Sequence, residues 1–232
     1  MCYTNCLNLE ELKKYGQVII NHYCNCCCKG GETDPVNPPE KPTQPTDPVE
    51  PIEEDVKWSV ENSPDADISE DGLTATMSSH ASGQYLTIAT KILSVGKWYW
   101  EIEFTQGKTM ETGVVLLQSD NSKIDKYRGY YGYSGNKVKN VDGSIVSEGY
   151  GSTYSTNTIG VAVDLDKGTL EFFKDGMSQG VAFNDINILK SVCPYTVNRT
   201  TGGAGAVTAI AHFKRSSFKY PIPEGFKPYA EV

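Results

Sequence analysis

The chain has 232 residues, with 21 Lys and Arg against 29 Asp and Glu, 7 Cys and 12 Pro. Its formal charge of −8 argues against phosphate-backbone binding, which needs clustered Lys and Arg, and no apolar run reaches the roughly eighteen residues of a membrane-spanning helix. The N-terminus lacks the basic start and apolar core of a secretory signal, and the length suits one sizeable domain plus an appendage.

Six of the seven cysteines, Cys2, Cys6, Cys24, Cys26, Cys27 and Cys28, fall in residues 1–31, with His22 beside the last four. Between them Asn8 can cap a short helix with Glu11 at its third position. Leu9, Leu12, Val18 and Ile19 form its apolar stripe, and Glu10 and Lys14 sit four apart in the favourable order. Gly16 weakens so short a helix, so the stripe needs a partner surface and the segment reads as a docking peptide. Three states of the thiols stay open. They can be small buried hydrophobes in an assembly interface, or disulfides to other chains. Cys24, Cys26, Cys28 and His22 can also offer zinc a thiolate and imidazole donor set, although the packed Cys26-Cys27-Cys28 run is not the usual spaced pair. The expectation is no cofactor, with zinc as the alternative.

Residues 32–57 form an acidic Pro-rich linker. Pro35, Pro38, Pro39, Pro42, Pro45, Pro48 and Pro51 recur at nearly every third position, the period of a polyproline II helix. Seventeen residues at about 3.1 Å each make a spacer of roughly 50 Å. The same Pro and acidic composition also describes a disordered tether.

From residue 58 to 232 the hydrophobic period is two. Trp98, Trp100, Ile102 and Phe104 alternate with Tyr99, Glu101 and Glu103, which predicts a strand with one face buried and the other wetted. Residues 85–89, 113–117, 159–165, 169–173 and 207–213 are further strands. Asp166-Lys167-Gly168 and Asp175-Gly176 are tight turns between them. Many short strands with Gly turns and no helical period predict an all-β, two-sheet antiparallel β-sandwich. The last stretch, with Pro221, Pro223 and Pro228, is read as a strand-poor tail laying Phe218, Tyr220, Phe226 and Tyr229 over the core.

Three motifs then carry a resemblance. Gly96-Lys97-Trp98-Tyr99-Trp100-Glu101-Ile102-Glu103, Gly129-Tyr130-Tyr131-Gly132-Tyr133, and Ile159 through Leu170 followed by Phe172-Phe173-Lys174-Asp175-Gly176 resemble the SPRY domain family. The closing Phe218-Lys219-Tyr220-Pro221 and Pro223-Glu224-Gly225-Phe226 agree. The resemblance covers residues 58–232 and leaves the first 57 unmatched. It implies a bent sandwich related to concanavalin-like lectins, used for binding and without catalytic residues of its own. It also implies that recognition lives in loops at one end.

The richest loop chemistry is read between residues 118 and 154. Asp120, Asn121, Arg128, Tyr130, Tyr131, Tyr150 and Tyr154, with Arg199 from a second polar loop, are the candidate ligand-binding residues. Tyr offers a flat face and a hydroxyl, and Asp, Asn and Arg add directed hydrogen bonds, which suits sugar or peptide. Tyr130 and Arg128 lead this set, and their joint replacement by Ala is expected to abolish binding while sparing the melting temperature. Tyr131 and Tyr133 alternate within the scaffold motif, so at least one is read as core.

Enzyme chemistry finds little support. His80 and His212 are the head's two histidines, no Ser sits in a nucleophile elbow, and Glu101 with Glu103 fits scaffold better than a glycosidase pair. Asp120, Asp125, Asp142 and Asp164 lack the regular spacing of a calcium loop, and the 202–205 glycines lack a phosphate loop's Lys and helix. The expected function is a structural and adhesive protein of a phage virion, a head fibre, decoration or tail-associated component. Its N-terminal peptide docks on virion or other assembly proteins while the sandwich takes a host-surface glycan or protein, with no nucleic acid or membrane partner. The alternative is a cytoplasmic adaptor recognising a short peptide. No heptad pattern specifies an oligomer.

Overall fold

The computed structural model describes residues 55–78, 85–116, 126–199 and 205–231. The chain divides into Met1–Pro48 and Val49–Val232, and every described residue belongs to the second unit. The Cys-rich peptide with Leu9, Leu12, Val18 and Ile19, the donor set Cys24, Cys26, Cys28 and His22, and the Pro-rich stretch to Pro51 lie outside the described residues. So do His80, Asp120, Asn121 and the 202–204 glycines.

The described residues are all-β, with no α-helix among them and two short 3₁₀ turns at Ile186–Leu189 and Arg215–Ser217. The strands are β1 (Ala66–Ile68), β2 (Thr74–Met77), β3 (Tyr85–Ile88), β4 (Lys97–Gln106), β5 (Met110–Val115), β6 (Lys126–Tyr131) and β7 (Asn136–Val141). They continue with β8 (Ser144–Gly149), β9 (Thr158–Asp164), β10 (Thr169–Lys174), β11 (Met177–Phe183), β12 (Cys193–Asn198), β13 (Val207–His212) and β14 (Lys227–Pro228). One sheet runs β1-β2-β13-β4-β9-β10-β11, with β14 beside β4, and the other runs β3-β12-β5-β6-β7-β8. Pairing is antiparallel throughout except for the short parallel β14–β4 contact.

Period-two patterning places the core between the sheets. Trp100, Ile102 and Phe104 of β4, Ile159, Val161 and Val163 of β9, Leu170 and Phe172 of β10, and Val114 and Tyr130 of the facing sheet join one cluster. Burying each large side chain is worth about 1.5–3 kcal/mol. Trp58 meets Phe213 edge-on at 5.5 Å, and Phe213 meets Tyr229 at 4.9 Å, so both ends of the described chain close onto the same core. The β9–β10 hairpin forms as the Asp166-Lys167-Gly168 turn predicts, with Thr169 opposite Asp164 and Gly168 at φ 76°.

Two expectations are corrected. The second face of β4 is not wetted, since Tyr99 and Glu101 are buried and Glu103 is half-buried. The C-terminal segment covers it: Phe218 packs edge-on against Tyr99 at 5.2 Å, and the Glu101 carboxylate accepts the Lys219 and Tyr220 amides at 2.7 and 3.1 Å. Gly160 of the neighbouring β9 gives this buried face room. A Cβ there would lie 2.4 Å from the Tyr99 hydroxyl. Finally, most of residues 126–149 is not loop but the three strands β6, β7 and β8. Asp142 and Gly143, both at positive φ, form the two-residue turn joining β7 to β8.

Candidate ligand-binding surface

The two leading sequence candidates are interior. Tyr130 lies between Phe172 and Tyr154, with ring centroids 5.4 and 4.8 Å away, and its hydroxyl donates to the Ser152 carbonyl. Arg128 has a fully buried side chain, forked onto Asp185 at 3.0 and 2.8 Å and donating to the Tyr127 and Asn140 carbonyls. The Arg128 hydrogen bonds hold the Asp185 carboxyl below its ordinary range. Tyr154 is also buried, its hydroxyl bonded to the Tyr130 carbonyl. These three residues are corrected from ligand contacts to scaffold, because their aromatic and guanidinium groups are used up in joining the two sheets.

Tyr150 is half-buried beside Tyr130 and donates to the Gly180 carbonyl, which ties the loop after β8 to β11. Burial pushes its hydroxyl pKa up. Arg199 follows β12 on the other face of the six-stranded sheet. There it contacts the fully buried Glu111 carboxylate and lies over Tyr127 and Tyr131, 5.2 and 5.9 Å from their rings. Burial raises the Glu111 carboxyl above its ordinary range, and Arg199 and the Tyr195 hydroxyl oppose that rise. Arg199 is therefore committed to an internal ion pair, and Tyr131 is half-buried against it.

The loop end of the sandwich offers a different set. A hollow of about 420 Å³ is lined by Lys108 from the β4–β5 turn, Gly132 and Tyr133 from the β6–β7 turn, Thr153, Tyr154, Ser155 and Asn157 from the loop before β9, and Lys174 at the end of β10. Tyr133 is 66% exposed, with its ring 6.3 Å from that of Tyr131. The turn carrying it is stiff. Gly132 donates to the Met110 carbonyl, Gly135 to the Tyr131 carbonyl, and the Tyr154 amide to the Gly132 carbonyl, at 2.9–3.0 Å. Lys174 donates to the Thr153 carbonyl at 2.8 Å, and Asn157 is fixed by Asp175 at 2.6 Å. An exposed ring, two ammonium groups and immobilised polar edges make a surface that can stack, hydrogen-bond and favour negative charge.

Sequence reasoning left Tyr133 open between core and surface, and missed Lys108, Lys174 and Asn157 as surface residues. Tyr131 and Tyr133 alternate, so periodicity marks one of them as inward but not which. The usable signal was the Gly132-Tyr133-Ser134-Gly135 run, which is turn composition around an aromatic. Loop lysines between unrelated strands carry no spacing that could unite them. The residues weighed for chemistry have structural partners: Glu101 holds the C-terminal amides, and Glu103 takes Lys219 and, at 3.1 Å, His212. Among the described residues no cluster of three or more metal-ligating side chains occurs, and no helix is long and apolar enough to cross a membrane.

Comparison with known proteins agrees with this architecture. The sequence model of the SPRY domain matches residues 97–209. The crystal structure of the SPRY domain of human HERC1 superposes with a TM-score of 0.54 at 16% identity, covering 66% of this chain and 96% of that one. SPRY domains are protein-interaction modules, which supports a binding role for this sandwich. The matched region holds β4, the tyrosine-bearing β6 and the β9–β10 hairpin, so it is over residues 97–209 that this chain matches the SPRY domain family.

Proposed function

We propose that this chain is a non-enzymatic binding protein whose SPRY sandwich captures a protein ligand at its loop end. The observation that carries the reading is the exposed Tyr133 ring on a hydrogen-bonded turn, flanked by Lys108 and Lys174. A rigid aromatic anchor loses little entropy on binding, and flanking cations select acidic partners. In the fuller form of this proposal, residues 1–31 dock the chain into a larger assembly, for which a virion surface suits the plan of anchor, Pro-rich spacer and head. This part rests on the sequence plan alone. A cytoplasmic adaptor using the same head is the competing placement.

Panning a displayed random peptide library and a glycan array against the 232-residue chain tests the ligand class. Enriched peptides whose affinity falls about tenfold with Tyr133→Ala, at unchanged melting temperature, are the expected result. Glycan binding without peptide binding overturns the protein-ligand reading. Detection of the chain in purified particles, lost on removal of residues 1–31, tests the assembly role.

A further inference from the structure

The four sheet edges differ in how they are closed. β1 has three residues. The outer edge of β3 is capped by the preceding segment, where the Ser59 amide donates to the Ile88 carbonyl at 2.7 Å and the Ile88 amide to Ser63 Oγ at 3.0 Å. β11 is bulged, with register shifts against β10 and Gly180 at φ 83°. β8 has none of these protections. Its six residues, Ser-Ile-Val-Ser-Glu-Gly, are all exposed, pair with β7 in unbroken register, and include no Pro or Lys. Exposed regular edges of this kind pair with further strands unless they are blocked.

The hairpin turn fixes which backbone groups are available. Across a two-residue turn at Asp142-Gly143 the flanking Val141 and Ser144 form a doubly hydrogen-bonded pair. Alternation then turns the N–H and C=O of Ile145 and Ser147 away from β7, along the free edge. On the inner face, Val146 and Glu148 line a groove of about 160 Å³ with Lys137, Lys139, Phe183 and Asp185. Arg128 forks onto Asp185, which also feels Lys139, and Lys137 pairs Glu148 at 3.4 Å, so three cations face two carboxylates here and the groove is net positive in a chain of net charge −8. A six-residue edge is far smaller than the roughly 1,200 Å² of a stable dimer interface, so it suits a peptide segment better than a second copy.

We infer that β8 is a strand-addition site for an extended segment of a partner protein bearing an acidic side chain on its groove face. The added strand bonds through Ile145 and Ser147, covers Val146 and Phe183, and offers its carboxylate to Lys139. Gly149, the last residue of β8, lies opposite Asn136 just past the Tyr133 turn, so the segment leads directly to the loop end. The inference rests on the protein-ligand reading and names the partner's form and charge.

The test is amide NMR on the ¹⁵N-labelled 232-residue chain, titrated with a blocked valine-threonine-glutamate-threonine-valine-threonine peptide and its lysine counterpart. Shifts and slowed exchange at the Ile145 and Ser147 amides are expected, with about fivefold weaker binding of the lysine peptide. Ser147→Pro removes an outward N–H without breaking the β7 ladder, so it should cost about tenfold in affinity and leave the fold intact, as should Ile145→Pro. Equal affinity for both peptides, no binding, shifts confined to the Tyr133 turn, or self-association through β8 overturns the inference. If Tyr133→Ala abolishes library capture while Ser147→Pro does not, the loop-end reading stands and the edge site falls.

Discussion

Removing Arg128 deletes two carboxylate hydrogen bonds and two to backbone carbonyls, all made by a side chain with no exposed surface, although its partner Asp185 is 39% exposed. Arg128→Ala should therefore destabilise by roughly 3 kcal/mol, the scale of a broken buried pair, and lower the melting temperature by roughly 8 °C. An unchanged melting temperature would return Arg128 to the ligand surface. The partner carboxylate gives a pH signature. Asp185 has its folded pKa depressed first by the Arg128 hydrogen bonds, so the stability it adds is present above its unfolded pKa near 3.9 and disappears as pH falls through the lower folded value. Asp185→Asn should flatten that acid limb in melting temperature against pH, while a limb unchanged below pH ~4 would remove Asp185 from it. Cys193 is free and buried, with its thiol pushed up to about 12 by desolvation. Iodoacetamide at about pH 8 should leave it unmodified in the native chain and label it in denaturant, since the thiolate is the reactive form. Peptide mapping separates it from the N-terminal cysteines.

Among the elements, the stretch 218–220 ahead of β14 is held to the second face of β4 by few polar groups. Glu101 accepts the Lys219 and Tyr220 amides and the Tyr99 hydroxyl, and Glu103 adds the Lys219 ammonium. Glu101→Ala orphans these buried donors at about 1–3 kcal/mol. The measurable outcome is faster hydrogen exchange at the Lys219 and Tyr220 amides, well beyond that at β9; uniform acceleration across the sandwich would show that the segment is not separately held. The β4 strand was legible from Trp98, Trp100, Ile102 and Phe104, but the burial of its second face was not. Nothing local to Tyr99-x-Glu101 announces a cover from residues more than a hundred positions away. The β6–β8 meander was hidden for another reason. Its glycines and tyrosines, Gly129 to Gly135, read as loop chemistry, whereas Gly129 is small because a Cβ would lie 2.1 Å from the Tyr195 hydroxyl.

For the whole molecule, the core cluster draws on residues from Val56 to Ala230 and closes through Trp58, Phe213 and Tyr229. A chain starting at Val49, the boundary of the second unit, should unfold in one cooperative step at the melting temperature of the full chain. A shift of more than a few degrees would mean that the preceding residues stabilise the head. The sequence by itself determined the all-β class, the positions of β4, β9, β10 and β13, and the Gly168 and Gly176 turns, because each depends on alternation or turn chemistry within about ten residues. It could not sort Tyr130 from Tyr133 or Arg128 from Lys108. Those assignments depend on which groups the two sheets bring together across the interior, and only the tertiary structure decided that Arg128 meets Asp185 while Tyr133 is left outside.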